Sequence, residues 1–485
     1  MITSRAWSGK RYAVLGLGRS GRSTVESLLA SGAEVVAWDE SEAARNALSP
    51  LREFAEGPGV ALSSSGADET KGHPQPLQQR LEGSWLSFAD PLSLDLTGFE
   101  AVVVAPGIPI NRHPITAHAA KYGVPLIGDI ELFAQARAEL PPHKVIGITG
   151  TNGKSTTTAL VHHILKSAGV PCLMGGNIGL PILAQDPLPD GGVYVLELSS
   201  YQIDLTQSLD CDVAALLNIT PDHLDRYDGF EAYAASKLRL FEMQSPLHER
   251  VVASKKGVSQ EAFRRLLDQP HGLSWTEYEP DSSRRDDFWG PFTRDGQIKK
   301  CDHLSAQEDW PALQGPHNAQ NAFAAMLIVQ VLHVPDELTS EALRTYPGLP
   351  HRMERVRHHG GVLFVNDSKA TNPDSAAPAL AAYPYIHWIV GGLAKTDSLG
   401  PCEAHLGHVR GAYTIGEAGP MFARLLEGRV PVTQSQLLEK AVTDAAGAAR
   451  PGEVVLLSPA CASFDQFRDF EARGDAFRAA VESLP

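Results

Sequence analysis

Short runs of β-branched and aliphatic residues recur along the chain between stretches of helical character, among them Tyr12–Leu15, Val102–Val104, Val145–Ile148, Val193–Leu196, Val362–Val365, Ile386–Val390 and Val454–Leu457. Unbroken apolar runs of this kind read as strands buried on both faces. Such strands belong to parallel sheets, whose neighbours are joined by crossover helices. The expectation is an α/β chain with several such units in series. With 485 residues, there is room for about three domains of ordinary size.

Three segments break the pattern. The stretch from about 57 to 83, with SSSGADETKGHPQP, is polar and rich in Gly, Pro and Ser, and reads as an exposed excursion inside the first domain. The stretch from about 280 to 300, with DSSRRDD and an isolated Trp289, reads as a solvated loop or hairpin. In TYPGLPHR, Thr345 to Arg352, two prolines and a glycine interrupt a helical stretch, which makes this the expected linker to a C-terminal domain.

Composition narrows the function classes. Hydrophobic residues make up 43% and charged residues 20%, as in a globular protein, and the formal charge is -15. An acidic chain is poorly suited to wrapping nucleic acid, although a few placed lysines and helix N-termini can still hold small anions. The five cysteines form no CxxC pair, which fits reduced thiols and a cytoplasmic location. No apolar run is long enough for a membrane span, and no signal peptide is read at the N-terminus.

Two glycine motifs follow strands. Gly16-Leu17-Gly18-Arg19-Ser20-Gly21 matches GxGxxG, with Asp39 closing the next strand, the layout of a dinucleotide-binding unit. A helix N-terminus holds any diphosphate, so the motif leaves a nicotinamide cofactor and another nucleotide both open. In Val145-Ile146-Gly147-Ile148-Thr149-Gly150-Thr151-Asn152-Gly153-Lys154-Ser155-Thr156, a strand leads through a glycine turn into a helix start. Backbone amides there can cradle phosphates, Lys154 can meet the β/γ oxygens, and the Ser155 hydroxyl can reach Mg²⁺. Ile148 stands where the general GxxxxGK[ST] pattern has its first glycine. Glu197, ending the run Val193–Leu196, is either the second Mg²⁺ anchor or a solvated strand end.

With GTNGKST, GGNIG (Gly175 to Gly179), LELSSYQ around Glu197 and Asn218-Ile219-Thr220-Pro221-Asp222-His223-Leu224-Asp225-Arg226, the chain resembles the Mur ligases of peptidoglycan synthesis. The strings NDSKATN (Asn366 to Asn372) and SPACASFDQF (Ser458 to Phe467) look like the D-glutamate-adding branch. The resemblance implies three domains: 1–128 Rossmann-like and UDP-substrate-binding, 129–347 a central parallel-sheet ATPase of P-loop type, and 348–485 Rossmann-like and amino-acid-binding. It implies ATP-dependent addition of D-glutamate to UDP-N-acetylmuramoyl-L-alanine through an acyl phosphate, by a monomer with small-molecule substrates, no nucleic acid and no membrane.

Site residues carry over by position. Gly150, Thr151, Asn152, Gly153, Lys154, Ser155 and Thr156 match the ATP loop, and Asn321, Arg352 and Asp367 match further ATP contacts. Gly18, Arg19, Ser20, Asp39, Gly107 and Asn177 match contacts of the UDP substrate; Ala105 replaces the more frequent Ser before Pro106 and Gly107. Two Mg²⁺ sites are implied, one held by Ser155 and Glu197, the other by His223 with Lys237 as a carbamate. Lys154, His223, Lys237 and Asn177 are the implied catalytic group. Thr371, Lys395, Ser463 and the Phe470 backbone match D-glutamate contacts, with Leu393 and Ala394 departing from the usual acidic residue and glycine before Lys395.

Structural alternatives stand beside several of these. Lys237 also reads as a helix-surface lysine, His223 as a turn histidine, Asn177 as a left-handed turn residue and Arg352 with Asp367 as an internal ion pair. Ser463 with Gln466 reads as a helix capping box. Three other functions remain: an NAD-dependent dehydrogenase, which leaves GTNGKST unexplained; a sister ligase such as folylpolyglutamate synthetase, which needs no uridine-nucleotide domain; and a nucleotide-binding regulator without turnover.

Overall fold

The computed structural model describes residues 1–51, 85–222, 226–253, 273–275 and 307–485. The expected excursion at 57–83, the polar stretch at 280–300 and His223 lie outside the described residues. Two compact units form: one takes the described residues up to Tyr278 with Ala324–Val334, the other those within Cys301–Phe323 and Pro335–Pro485.

Three sheets are formed by the described residues. The first is wholly parallel, with β1 (Arg11–Leu15), β2 (Glu34–Trp38), β3 (Trp85–Phe88), β4 (Phe99–Val104) and β5 (Leu126–Ile127) in the order β3-β2-β1-β4-β5. The second, also parallel, orders β6 (His143–Thr149), β7 (Cys172–Gly176), β8 (Gly192–Glu197), β9 (Val213–Leu216), β10 (Glu249–Val252) and β11 (Leu273–Trp275) as β11-β10-β9-β6-β8-β7. Both belong to the first unit. The third lies in the second unit, where β12 (Glu354–His359), β13 (Val362–Asn366), β14 (Ile386–Gly391), β15 (Val409–Ile415), β16 (Val432–Gln436) and β17 (Val454–Leu457) run β12-β13-β17-β14-β15-β16. Only β12 pairs antiparallel.

Every strand expected from an apolar run is present. The runs in β8, β14 and β17 are buried at each position, because helices cover both faces of these sheets. The edge strand β12 has no buried residue and is charged along its length, as an unpaired edge tolerates. At TYPGLPHR the helix Asp336–Thr345 ends and β12 begins just beyond, both within the second unit.

In the first unit the helix Asp129–Ala136 leads out of the first sheet into the second. Its Glu131 is 4% exposed and accepts from the Gln207 amide at 2.7 Å, the Ser208 amide at 2.9 Å and the Ser208 hydroxyl at 2.7 Å. The carboxylate thus closes the loop after the helix Ser200–Asp204 onto the chain leaving the first sheet. We expect Glu131→Ala, which takes the acceptor from those two amides, to lower stability by about 1–3 kcal/mol. The check is the urea midpoint of the first unit's transition; an unchanged midpoint refutes it.

Candidate active site

In the first sheet the GxGxxG turn leaves β1 and enters the helix Arg19–Ala30 with Gly18 as an N-cap that offers no side chain. The first-turn amides are therefore left for an external acceptor. Gly21 is required by close approach, since a Cβ there would stand 1.8 Å from the Gly16 carbonyl oxygen. Arg19 is exposed and Ser20 half-buried on that first turn. Asp39 uses one carboxylate oxygen on the Leu17 amide at 2.7 Å and the other on the Ser41 amide at 2.8 Å. It shapes the glycine turn, which accounts for its spacing without a ribose. The Gly107 carbonyl accepts from Arg226 at 2.6 Å. Behind Ser20 lies Asp129, 2% exposed, a residue sequence reasoning missed; burial pushes its carboxyl up to about 6 while the Ile130 amide and Ser20 hydroxyl pull it back.

The second cluster gathers where β6 and β8 end. Gly150 (φ 154) and Gly153 (φ 85) take backbone values that suit glycine, and Gly153 opens the helix Lys154–Ser167. The loop is clamped from the side. The Thr151 amide donates to Asn218 O at 2.9 Å, and the Asn152 amide donates to the Asn218 side chain at 3.0 Å. The Thr220 amide donates to the Thr151 hydroxyl at 3.0 Å. Lys154 folds back, its Nζ donating to the carbonyls of Gly150 (3.0 Å) and Thr151 (2.9 Å). Ser155 is buried on the first turn, with Thr156 half-buried beside it.

Glu197 at the end of β8 is 2% exposed. Its Oε1 accepts from the Asn177 side chain at 2.9 Å, whereas its Oε2 is buried without a hydrogen-bond partner. That oxygen is an unsatisfied acceptor of the kind a cation completes. Gly176 (φ 85) must lack a side chain, because a Cβ would fall 2.1 Å from Glu197 O. Asn177 is thus bound to Glu197 through its side chain and through its amide at 2.8 Å.

Lys237 on the helix Phe230–Glu242 is 1% exposed, which overturns the reading of it as a surface lysine. Its Nζ donates to Gly150 O at 2.9 Å and lies 4.7 Å from the centre of the Tyr233 ring. Gly150 O therefore receives two lysine amines. Burial, with Lys154 adding to it, drives the Lys237 amine well below its ordinary pKa. Among the described residues no three His, Cys, Asp or Glu side chains gather as a metal cluster. The Ser155 hydroxyl and the open Glu197 oxygen suit Mg²⁺ of the sort that keeps waters and substrate phosphates as its remaining ligands.

In the second unit the functional positions collect on loops leaving β13, β14 and β17. Asp367 is 7% exposed; its oxygens accept from the Met353 amide at 3.2 Å and the Ser458 hydroxyl at 2.8 Å. Arg352 sits between two left-handed non-glycine residues, His351 (φ 61) and Met353 (φ 48), a local strain that holds its position. Asn321 is buried on the helix Pro316–Val331, donating to Asn318 at 3.2 Å. Thr371 is half-buried, Lys395 exposed and Ser463 buried. The capping-box reading of Ser463 fails: the helix starts at Phe470, capped by Asp469, whose side chain accepts from the Ala472 amide. The Gln466 amide donates instead to Ser463 O at 3.1 Å and its side chain to Gln436 O at 3.0 Å.

Burial is the main cause that pushes the Asp367 carboxyl up to about 7, against the pull of Ser458, the Met353 amide, Arg352 and Arg473. A raised folded pKa means that the folded state holds this proton more tightly. The stability it confers is complete below the unfolded pKa near 3.8 and is lost as pH rises through about 7. Asp367→Asn removes that dependence, so the melting temperature of the variant should gain on the natural protein between pH 4 and pH 8 by thermal melts. A constant difference across that range contradicts it.

Comparison with known proteins comes to the same place. A family model for the Mur ligase middle domain matches residues 148–329, and one for the Mur ligase glutamate ligase domain matches residues 351–461. The chain is 57% identical over 484 residues to a UDP-N-acetylmuramoylalanine--D-glutamate ligase of Novosphingobium aromaticivorans, covering 100% of this chain and 97% of that relative. It is 53% identical to the protein of the same name from Sphingopyxis alaskensis, covering 100% of both. Among solved structures it resembles the UDP-N-acetylmuramate-alanine ligase of Thermotoga maritima with a TM-score of 0.55 at 16% identity, covering 98% of this chain and 99% of that one. At that identity the likeness speaks for the fold. The chain belongs to the Mur ligase family.

Proposed function

We propose that the chain is an ATP-dependent ligase that adds D-glutamate to UDP-N-acetylmuramoyl-L-alanine in peptidoglycan precursor synthesis. Full-length likeness to relatives of that name supports the substrate pair. The observation that carries the chemistry is the pair of lysine amines on the Gly150 carbonyl beside an open Glu197 oxygen. ATP transfers its γ-phosphoryl group to the terminal carboxylate of the UDP substrate, releasing ADP. The D-glutamate amine then attacks the acyl carbon, and the tetrahedral adduct collapses to amide and phosphate.

The chain's own residues have separable tasks. Amides of Gly150 to Thr156 cradle the ATP phosphates, and Lys154 swings from the loop carbonyls to the β/γ oxygens. Ser155 and Glu197 hold one Mg²⁺, with Asn177 orienting Glu197 and reaching the muramoyl part. Lys237 holds the other as a carbamate, together with His223. A buried amine of depressed pKa is nucleophilic when neutral; it adds CO₂ and loses a proton, exchanging a cation for an anionic oxygen ligand. Bound Mg²⁺ supplies charge neutralisation where anionic partners meet.

Gly18, Arg19, Ser20 and Gly107 serve the UDP moiety, with Asp39 acting through the glycine turn. Asn321, Arg352 and Asp367 take the nucleotide, while Thr371, Lys395, Ser463 and the Phe470 amide take D-glutamate. The divisions 1–128, 129–347 and 348–485, a monomeric state and a cytoplasmic location go with this reading. No helix among the described residues is long and apolar enough to cross a membrane.

The deciding measurement is phosphate release with ATP, Mg²⁺ and UDP-N-acetylmuramoyl-L-alanine, comparing D-glutamate with L-glutamate, L-alanine and no amino acid. Release that requires D-glutamate, with the matching mass gain in the UDP product, is expected. Release with another amino acid keeps the ligase but overturns the acceptor. Lys237→Ala is expected to reduce turnover about 1,000-fold or more while UDP-substrate affinity by calorimetry stays unchanged; near-normal turnover removes the carbamate.

A further inference from the structure

Arg473, on the helix Phe470–Glu482, has no assigned role, yet it is 1% exposed and its guanidinium is fully engaged. Its Nε donates to the Ser368 hydroxyl at 3.0 Å, and its Nη2 to the carbonyls of Ser368 at 2.8 Å and Cys461 at 3.0 Å. Its Nη1 donates to Ala462 O at 3.2 Å. A third loop closes on the same group: a Cβ on Gly392 would stand 3.1 Å from Nη1 and 2.4 Å from Ala462 O. Leu393 and Ala462 also exchange backbone hydrogen bonds at 2.9 and 3.0 Å. One guanidinium thus bonds the loops that leave β13 and β17 to each other, and the loop that leaves β14 packs against it. Those loops carry Thr371, Lys395 and Ser463, and Phe470 opens the helix of Arg473 itself, its carbonyl accepting from Ser368 at 2.8 Å.

The charge of this group is left uncancelled. All four acceptors are neutral, and among the described residues no carboxylate comes within ion-pair distance of Arg473. Asp465 engages the Glu417 amide and Asp367 engages Ser458 and Met353, so both act on the guanidinium only from further away. Burial lowers Arg473 to about 10, which leaves it protonated near neutral pH. A buried cation without a protein counter-ion is expensive to keep, and an anionic ligand nearby offsets that expense.

We infer that Arg473 is a positioning residue of the amino-acid pocket, fixing the three loops relative to one another and supplying the positive potential that favours an amino acid with two carboxylates. This rests on the reading of Thr371, Lys395 and Ser463 as carboxylate contacts. The role has two parts, a planar fork that spans several carbonyls and a charge. Lysine keeps the charge and loses the fork; glutamine loses the charge as well.

The test is steady-state kinetics of Arg473→Lys and Arg473→Gln, with thermal melts and ADP titration to certify that each variant is folded. Arg473→Lys is expected to raise KM for D-glutamate about ten-fold, with KM for ATP within about three-fold of the natural protein. Arg473→Gln is expected to raise KM for D-glutamate at least about ten-fold further. A D-glutamate KM within about two-fold of normal in a variant that still binds ADP, or equal rises for ATP and D-glutamate, overturns the inference. Glutamine no worse than lysine overturns its electrostatic half. Absence of D-glutamate-dependent phosphate release in the unsubstituted protein instead defeats the proposed function, and is seen before any variant is compared.

Discussion

Two lysine amines converging on the carbonyl of Gly150 are the constraint around which the central sheet's site is arranged. Like charges at hydrogen-bond distance from one oxygen repel, and burial raises the penalty because little water screens them. The structure keeps the pair by holding the carbonyl rigidly, through the Asn218 and Thr220 clamp on Thr151 and Asn152. It also places Glu197 close enough to favour the charged form of Lys237, although that oxygen makes no bond to it. The burial that drives the Lys237 amine well below its ordinary pKa eases that tension by favouring its neutral form.

The same arrangement recurs in each sheet. The chemistry-bearing positions lie past the carboxyl ends of parallel strands, where turns from β to α leave amides and side chains converging on one edge. Two glycines show how tightly those turns are drawn: Gly21 lies under the Gly16 carbonyl and Gly176 under the Glu197 carbonyl, each too close for a methyl group. In the first sheet, Asp39 serves the turn by binding the Leu17 amide. A carboxylate at the spacing expected of a ribose ligand can therefore be a structural brace, and the GxGxxG pattern by itself could not separate those roles.

Much of the architecture was legible because its strands are buried on both faces, which writes them as unbroken apolar runs whatever their partners. The phosphate loop was legible because glycine, lysine and serine must stand at fixed offsets where a strand turns into a helix. Burial of charge was not legible. Nothing adjacent to Lys237, Arg473, Asp129 or Glu131 in the sequence says that these side chains point inward, since that depends on packing between segments far apart in the chain. The Ser463–Gln466 spacing misled for a related reason: a three-residue offset fits a cap, but the backbone forms a turn there and Asp469 captures the later helix start.

A chain of net charge -15 in a family of ATP-dependent ligases has to create positive potential locally, and the cations set into its loops show how. Lys154 donates to two loop carbonyls, and Arg473 to three carbonyls and a hydroxyl. A carboxylate partner would stabilise each cation by cancelling its field. A carbonyl dipole stabilises it while leaving the net charge in place, so the field still reaches a ligand a few ångströms away. Neutral acceptors around the buried Arg473 thus serve anion binding better than an ion pair would, and the strained, glycine-dependent loops follow from the need to aim those carbonyls inward.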